Sequence, residues 1–309
     1  MRTSFKLEDF SRSVVAVPPL CRDAQLRVVF VQNQRLIQHL ESGGVRILLY
    51  GGNANFYNIS LREHSAVLDT LEAASGPDTL VIPSVGPYYG TLMDQAEILA
   101  DREFPTAMVL PTIAVSSPEG VRAAFLRFVE RFGKPAVLYI KDSGYVTVEV
   151  ARSLVDAGAI SWIKYAVVRT NPANDPLLKG LCDQIDPRLI VSGIGEQPAV
   201  VHVPQFQVGG FTSGCVCVAP RLSMDLLDAL RHGDAVKAES LRQIFLPLET
   251  LRNSHGPIPV LHHAIALAGL ADTGPLLPLL SPLNPSLLNQ IAPVAEALLA
   301  EESSRRNQP

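Results

Sequence analysis

Short apolar, β-like runs alternate with helical patterns about eight times before the chain becomes purely helical, and this alternation limits the possible folds more than any other feature. The runs are Ser13–Val17, Arg46–Tyr50, Thr79–Ile82, Ala107–Leu110, Pro135–Ile140, Ile160–Ala166, Leu189–Ser192 and Thr212–Val218. They read as continuous hydrophobic stretches rather than alternating ones, the pattern of parallel strands covered on both faces. Between them, helices are expected over Leu26–Glu41, from the cap Ser60 onward, over Met93–Ala100, after the Ser117-Pro118 cap and over Val148–Asp156. Ser60 with Glu63 three residues on has the spacing of a capping box, and Pro118 suits the first position of a helix. A (β/α)8 TIM barrel accounts for eight such units. An open doubly wound sheet is the competing fold, but no GxGxxG opens the first helix, so a dinucleotide site has no support.

From Arg221 onward the pattern is helical only: Leu222–Leu230, Ala235–Leu251, Val260–Leu270 and Leu287–Leu299. The expected organisation is a barrel over residues 1–220 and a C-terminal helical region, 221–309, packed on it. The polar tail Glu301–Pro309 is expected to fray.

Of 309 residues, 47% are hydrophobic and 18% charged, with net charge −4. A large core is affordable and disorder is excluded. No Lys/Arg cluster suits nucleic acid, and no apolar run is long enough for a membrane span. The first ten residues carry Arg2, Lys6, Glu8 and Asp9, which does not read as a signal peptide. Four cysteines are too few for a disulfide framework. They read as reduced core thiols of a cytoplasmic protein, and Cys215-x-Cys217 alone is weak metal evidence, so no metal or cofactor is expected.

Within the sixth run, Lys164 is the unusual residue, because a strand core normally excludes an ammonium group. If it points inward among apolar walls, burial disfavours its charged form and makes it a nucleophile near neutral pH. If it snorkels at the strand end, it has no special chemistry. Barrel chemistry sits at the C-terminal ends of the strands, where Tyr139 lies level with Lys164 on the fifth strand. Parity places Trp162 on the same face as Lys164. Lys141 is a rival nucleophile farther out. After the second strand, Gly51, Gly52, Asn53 and Asn55 form a loop whose amides and side chains can hold a carboxylate or simply shape a βα turn. Tyr88-Tyr89, after the third strand, suits a pocket wall or a subunit contact. His262-His263 are adjacent on a helix and cannot share a face.

The chain resembles the dihydrodipicolinate synthase / N-acetylneuraminate lyase family of Schiff-base barrels over roughly residues 10–300. The resemblance rests on Leu138-Tyr139, Trp162-Ile163-Lys164, Gly209–Ser223, Gly233-Asp234, Pro247-Leu248, His262–Gly269 and Pro278–Leu283 in that order and spacing. It implies an imine between Lys164 and a 2-oxo acid such as pyruvate, with Tyr139 shuttling a proton. It also implies that Gly51, Gly52, Asn53 and Asn55 lie around the substrate's carboxylate, and that the protein is a homotetramer.

Departures from the family pattern are concentrated at the same end. Gly52 and Asn53 replace two threonines, Asn55 replaces a glutamate, and Thr112-Ile113 stand where a tyrosine is usual. Ile140-Lys141-Asp142 replaces Asn-x-Pro, Gly144 replaces the carboxylate-binding arginine, and Trp162 replaces a glycine. The expected reaction is therefore a lyase of the aldolase type other than dihydrodipicolinate synthase itself. A Schiff-base dehydratase of sugar acids, or a retired barrel that only binds or assembles, are the alternatives.

Overall fold

A computed structural model describes residues 1–306. The elements run β1 (Val15–Ala16), α1 (Phe30–Ser42), β2 (Ile47–Tyr50), α2 (Leu61–Ala74), β3 (Leu80–Val85), α3 (Tyr89–Ala100), β4 (Met108–Val109) and α4 (Pro118–Phe132). They continue with β5 (Ala136–Ile140), α5 (Val148–Asp156), β6 (Ile160–Tyr165), α6 (Pro176–Gln184), β7 (Ile190–Ser192), α7 (Glu196–Phe206), β8 (Gly210–Ser213) and α8 (Pro220–Arg231). Three helices follow: α9 (Ala235–His255), α10 (Pro257–Leu267) and α11 (Pro285–Arg306).

All eight strands pair in parallel in sequence order, and β1 also pairs with β8 through Val15–Thr212 and Ala16–Ser213. The sheet closes on itself, giving a (β/α)8 barrel with a C-terminal helical appendage. Strand residues are buried on both faces because helices cover the outside and side chains fill the inside; β2, β3 and β8 are buried along their whole lengths. The N-terminal end of the barrel is plugged. Phe10, on a 3-10 turn ahead of β1, packs edge-to-face on Trp162 of β6 with ring centroids 5.2 Å apart.

The expected elements are present with informative differences. The first helix begins at Phe30 rather than Leu26, because Leu26 is left-handed (φ 64°) and Val28 bridges back to Arg22. Ser60 caps α2 by accepting from Glu63 N at 3.2 Å, but the Glu63 carboxylate pairs with Arg22 instead of completing a capping box. The eighth strand stops at Ser213; Cys215–Cys217 form a 3-10 turn, so the two thiols do not share a strand face.

Helix α7 has no counterpart in the sequence pattern, because Pro198 and Pro204 interrupt it. Pro198 falls in the first turn, where the missing N–H costs nothing. The tail differs most. Instead of fraying, α11 continues to Arg306, and Glu302 docks it by accepting from the amides of Arg221 (3.0 Å) and Leu222 (3.1 Å) at the start of α8. Positions 307–309 of the expected frayed tail lie outside the described residues.

Candidate active site

A cleft of about 840 Å³ opens at the C-terminal end of the barrel. Its floor and walls include Gly51, Gly52 and Asn53 after β2, Tyr139 and Lys141 on and after β5, and Lys164 with residues 166–170 on and after β6. They also include Gly193–Gly195 after β7, Thr212 and Gly214 around β8, and Arg252, Asn253 and Ile258 from α9 and α10.

Lys164 is the second-to-last residue of β6, and register pairs it with Tyr139 on β5, one step above the Val137–Trp162 pair. The side chains of Lys164 and Tyr139 meet: Nζ lies 4.7 Å from the centre of the phenol ring. Lys164 is 7% exposed, and no carboxylate lies within 4.0 Å of it among the described residues. Burial pulls its ammonium down to about 7, and the positive charges of Lys141 and Arg252 act in the same direction. Trp162 shares the interior face but belongs to the plug below, against Phe10, and does not line the cleft. Sharing a face with Lys164, as parity predicts, does not bring the indole to the cleft: it seals the barrel floor one layer down.

The Tyr139 phenol is half-buried at the cleft wall. Burial pushes its pKa up to about 12, and Arg252 pulls it back in part. It rests protonated at neutral pH and is therefore a donor first and a base only after giving up its proton. Tyr57 stands nearby, its hydroxyl donating to Pro111 O at 3.4 Å.

The loop after β2 places three of its four expected residues in the cleft. Gly51 lets the loop lie close to β3 and β4: a Cβ there would come within 2.8 Å of Met108 Cε and 3.3 Å of Ser84 Oγ and would have to push the methionine tip aside. Gly52 and Asn53 begin a single 3-10 turn whose first amides the turn itself does not use. The Asn53 side chain donates from Nδ2 to Val17 O at 3.0 Å, tying the loop to the end of β1. Asn55 is the exception. It is buried, in the left-handed conformation (φ 59°, ψ 27°), and absent from the cleft lining. It shapes the junction between two 3-10 turns, a backbone position asparagine tolerates.

The loop after β6 is held by Asp175, which accepts from the Tyr165 hydroxyl at 2.6 Å and from Leu177 N and Leu178 N at 3.2 Å each. Tyr88 and Tyr89 are exposed away from the cleft. His262 donates from Nε2 to Gly274 O at 2.7 Å and is packed in the appendage.

Arg252 is the residue the sequence pattern did not single out. It sits on α9, is 7% exposed, and bonds through Nη2 to Ile194 O and through Nε and Nη2 to Asn253 Oδ1 (3.2 and 3.0 Å). The expected helix stops at Leu251, one residue short of it, whereas α9 runs on to His255 and carries Arg252 in its last turn, where a cation is ordinary.

No family model matches the chain. Two curated relatives align over most of its length. A probable 5-dehydro-4-deoxyglucarate dehydratase of Bacillus subtilis (strain 168) is 23% identical over 89% of this chain and 90% of its own. A 4-hydroxy-tetrahydrodipicolinate synthase of Pseudomonas putida (strain W619) is 26% identical over 86% of this chain and 90% of its own. Among solved structures, the prophage protein YagE of the dihydrodipicolinic acid synthase family, from E. coli K12 in complex with pyruvate, superposes with a TM-score of 0.81 at 19% identity. That superposition covers 93% of this chain and 98% of the other. In barrel, appendage and sequence, the chain is thus similar over most of its length to proteins of the dihydrodipicolinate synthase-like family.

Proposed function

We propose that the protein is a Schiff-base lyase of the aldolase type, in which the Lys164 amine condenses with the keto group of a 2-oxo acid. The observation that carries this reading is Lys164 itself: a nearly buried lysine at the catalytic end of the barrel, without a carboxylate partner, in contact with a tyrosine. A lysine pulled to about 7 is substantially unprotonated at neutral pH, so its lone pair can attack C2 of the substrate. The carbinolamine loses its hydroxyl as water, with the Tyr139 phenol supplying the proton. The resulting iminium accepts the electron pair of the C3–C4 bond as that bond breaks, and the phenolate is placed to take a proton from the departing C4 hydroxyl. The resulting enamine is then protonated at C3, and water releases the 2-oxo acid from Lys164.

The relative described as a dehydratase favours a second reading with the same iminium, in which loss of water leaves the carbon chain intact. Product analysis separates the two. A retired barrel would be expected to hold Lys164 in a salt bridge or to fill its pocket with Trp162; Lys164 has no such partner among the described residues, and Trp162 lies outside the cleft. Homotetrameric assembly is part of the proposal. The exposed Tyr88, Tyr89, Ile113 and Val115 offer a contact face, and light scattering reads the mass. The free thiols of all four cysteines suit a reducing cytoplasm.

The test is reductive trapping. Borohydride with pyruvate should add a mass label to Lys164 in the wild type and none in Lys164→Ala. Tyr139→Phe should still be labelled but turn over roughly 10²–10⁴-fold more slowly. An unlabelled wild-type Lys164, beside a family member that labels, sinks the reading.

A further inference from the structure

Five cationic side chains line the cleft, Lys141, Lys164, Arg169, Arg242 and Arg252, against a single carboxylate, Glu239. Two of the five are already matched. Arg242 is held by both oxygens of Glu239, at 2.8 and 2.6 Å, and Arg169 Nε lies 3.2 Å from Asp175 Oδ2. Besides Lys164, that leaves Lys141 and Arg252, neither of which has a carboxylate within 4.0 Å among the described residues.

Arg252 is the more telling of the two, because it is buried. A guanidinium taken out of water without a counter-ion is costly and calls for an anion from elsewhere. Its Nε and Nη2 are fixed by Asn253 and the Ile194 carbonyl, while Nη1 makes no hydrogen bond among the described residues. The Asn253 amide is itself steadied by donating to Gln197 Oε1 at 3.0 Å.

Two acids lie behind Arg252, Glu249 on the same helix and Glu196 at the start of α7, and both are fully buried. The Glu249 carboxyl faces the backbone amides of Glu196 and Gln197 and has no side-chain partner among the described residues, and Glu196 accepts from Ser223 Oγ at 2.5 Å. Burial first, and then Glu196, push the Glu249 carboxyl up to about 8, so it is largely neutral where the cleft works. Gly195 (φ 104°) separates this pair from the cleft; a Cβ there would lie 3.0 Å from Arg252 Nη1 and overlap Glu249. In front of them the Arg252 guanidinium lines the cleft, which neither acid does.

We infer that Arg252, with Lys141 at the rim, binds a second acid group on the substrate, so that the 2-oxo acid used here is a dianion bearing a distal carboxylate. The inference deepens the Schiff-base reading, taking from it the position of the reacting end. It also explains how a cleft lacking the family's arginine at position 144 still holds an acid: the cation comes from α9 and addresses the far end of the ligand. The planar fork suits a carboxylate bidentately, and a cleft of about 840 Å³ accommodates a six-carbon chain.

Calorimetry with unreactive acids isolates this claim from the chemistry at Lys164. Adipate should bind the wild type at least tenfold more tightly than hexanoate. Arg252→Gln should erase most of that preference while leaving hexanoate unchanged, and Arg252→Lys should retain part of it. Equal binding of the two acids overturns the inference, as does a variant that weakens both alike or is merely less stable. Binding of 3-phosphoglycerate but not adipate overturns the carboxylate assignment in favour of a phosphate. In parallel, pyruvate trapping is carried out on the wild type, where it reads the chemistry at Lys164 independently of the distal acid. If pyruvate fails to label the wild type while adipate preference persists, it is the Schiff-base reading that falls.

Discussion

At the residue scale, the proposed chemistry depends on an amine that is neutral when it meets a carbonyl. Burial and the Lys141 and Arg252 charges depress the Lys164 pKa to about 7. Trapping with pyruvate and borohydride should therefore accelerate as pH rises through about 7 and level off above it. Lys141→Ala removes one of the two depressing charges, so the midpoint should move upward. A midpoint near 10, the ordinary lysine range, would show that the amine is not perturbed in solution. Lys164 and Tyr139 were legible in the sequence because strand parity and level depend only on counting residues once strands are assigned. Arg252 was not, since helical periodicity says which face is covered but not that α9 bends over the barrel mouth. Asn55 misled for the converse reason: its polar side chain fits a binding role, whereas its left-handed backbone decides what it does.

At the element scale, the strongest contrast between pattern and fold is at α11. Polar composition suggested fraying, yet Glu302 gives α8 the acceptors that its own N-terminus lacks, serving as a cap supplied by another helix. Glu302→Ala should lower stability to denaturant by about 1–2 kcal/mol, the usual cost of losing a cap. No loss would mean that water serves those amides equally well. Element type was readable almost everywhere because parallel strands are continuous apolar runs. Ends were less so: β8 was read too long because Cys215–Val218 is as apolar as a strand, and only the turn at Gly214 ends it. Helix α7 escaped because proline normally argues against a helix, and its tolerance in the first turn depends on where the helix starts.

At the scale of the whole molecule, buried titratable groups set the acid limit. His64, His202 and His262 are all pulled down to about 4, first by burial. Between pH 4 and 6.5 the unfolded chain protonates these rings and the folded one does not, so their contribution to stability is present above pH 6.5 and is lost as pH falls. Glu249 and Glu196 run the other way, because their folded carboxyls are raised and they hold protons that the unfolded chain releases. The histidines take up protons more fully as pH drops further below 6.5, so acidification in that range works against the fold. Unfolding free energy from denaturant titration should thus fall as pH is lowered from 6.5 to 5. A flat or rising profile would place the histidines in water.

The Phe10–Trp162 plug also constrains traffic. With the far end of the barrel sealed by two buried rings, whatever reaches Lys164 arrives and departs through one mouth. The fragment covalently held at the floor must be the last to leave after cleavage and the first to enter in the reverse direction. Steady-state kinetics should then be ordered: the 2-oxo acid product should inhibit competitively against the intact substrate, while the other fragment, released earlier, should inhibit noncompetitively.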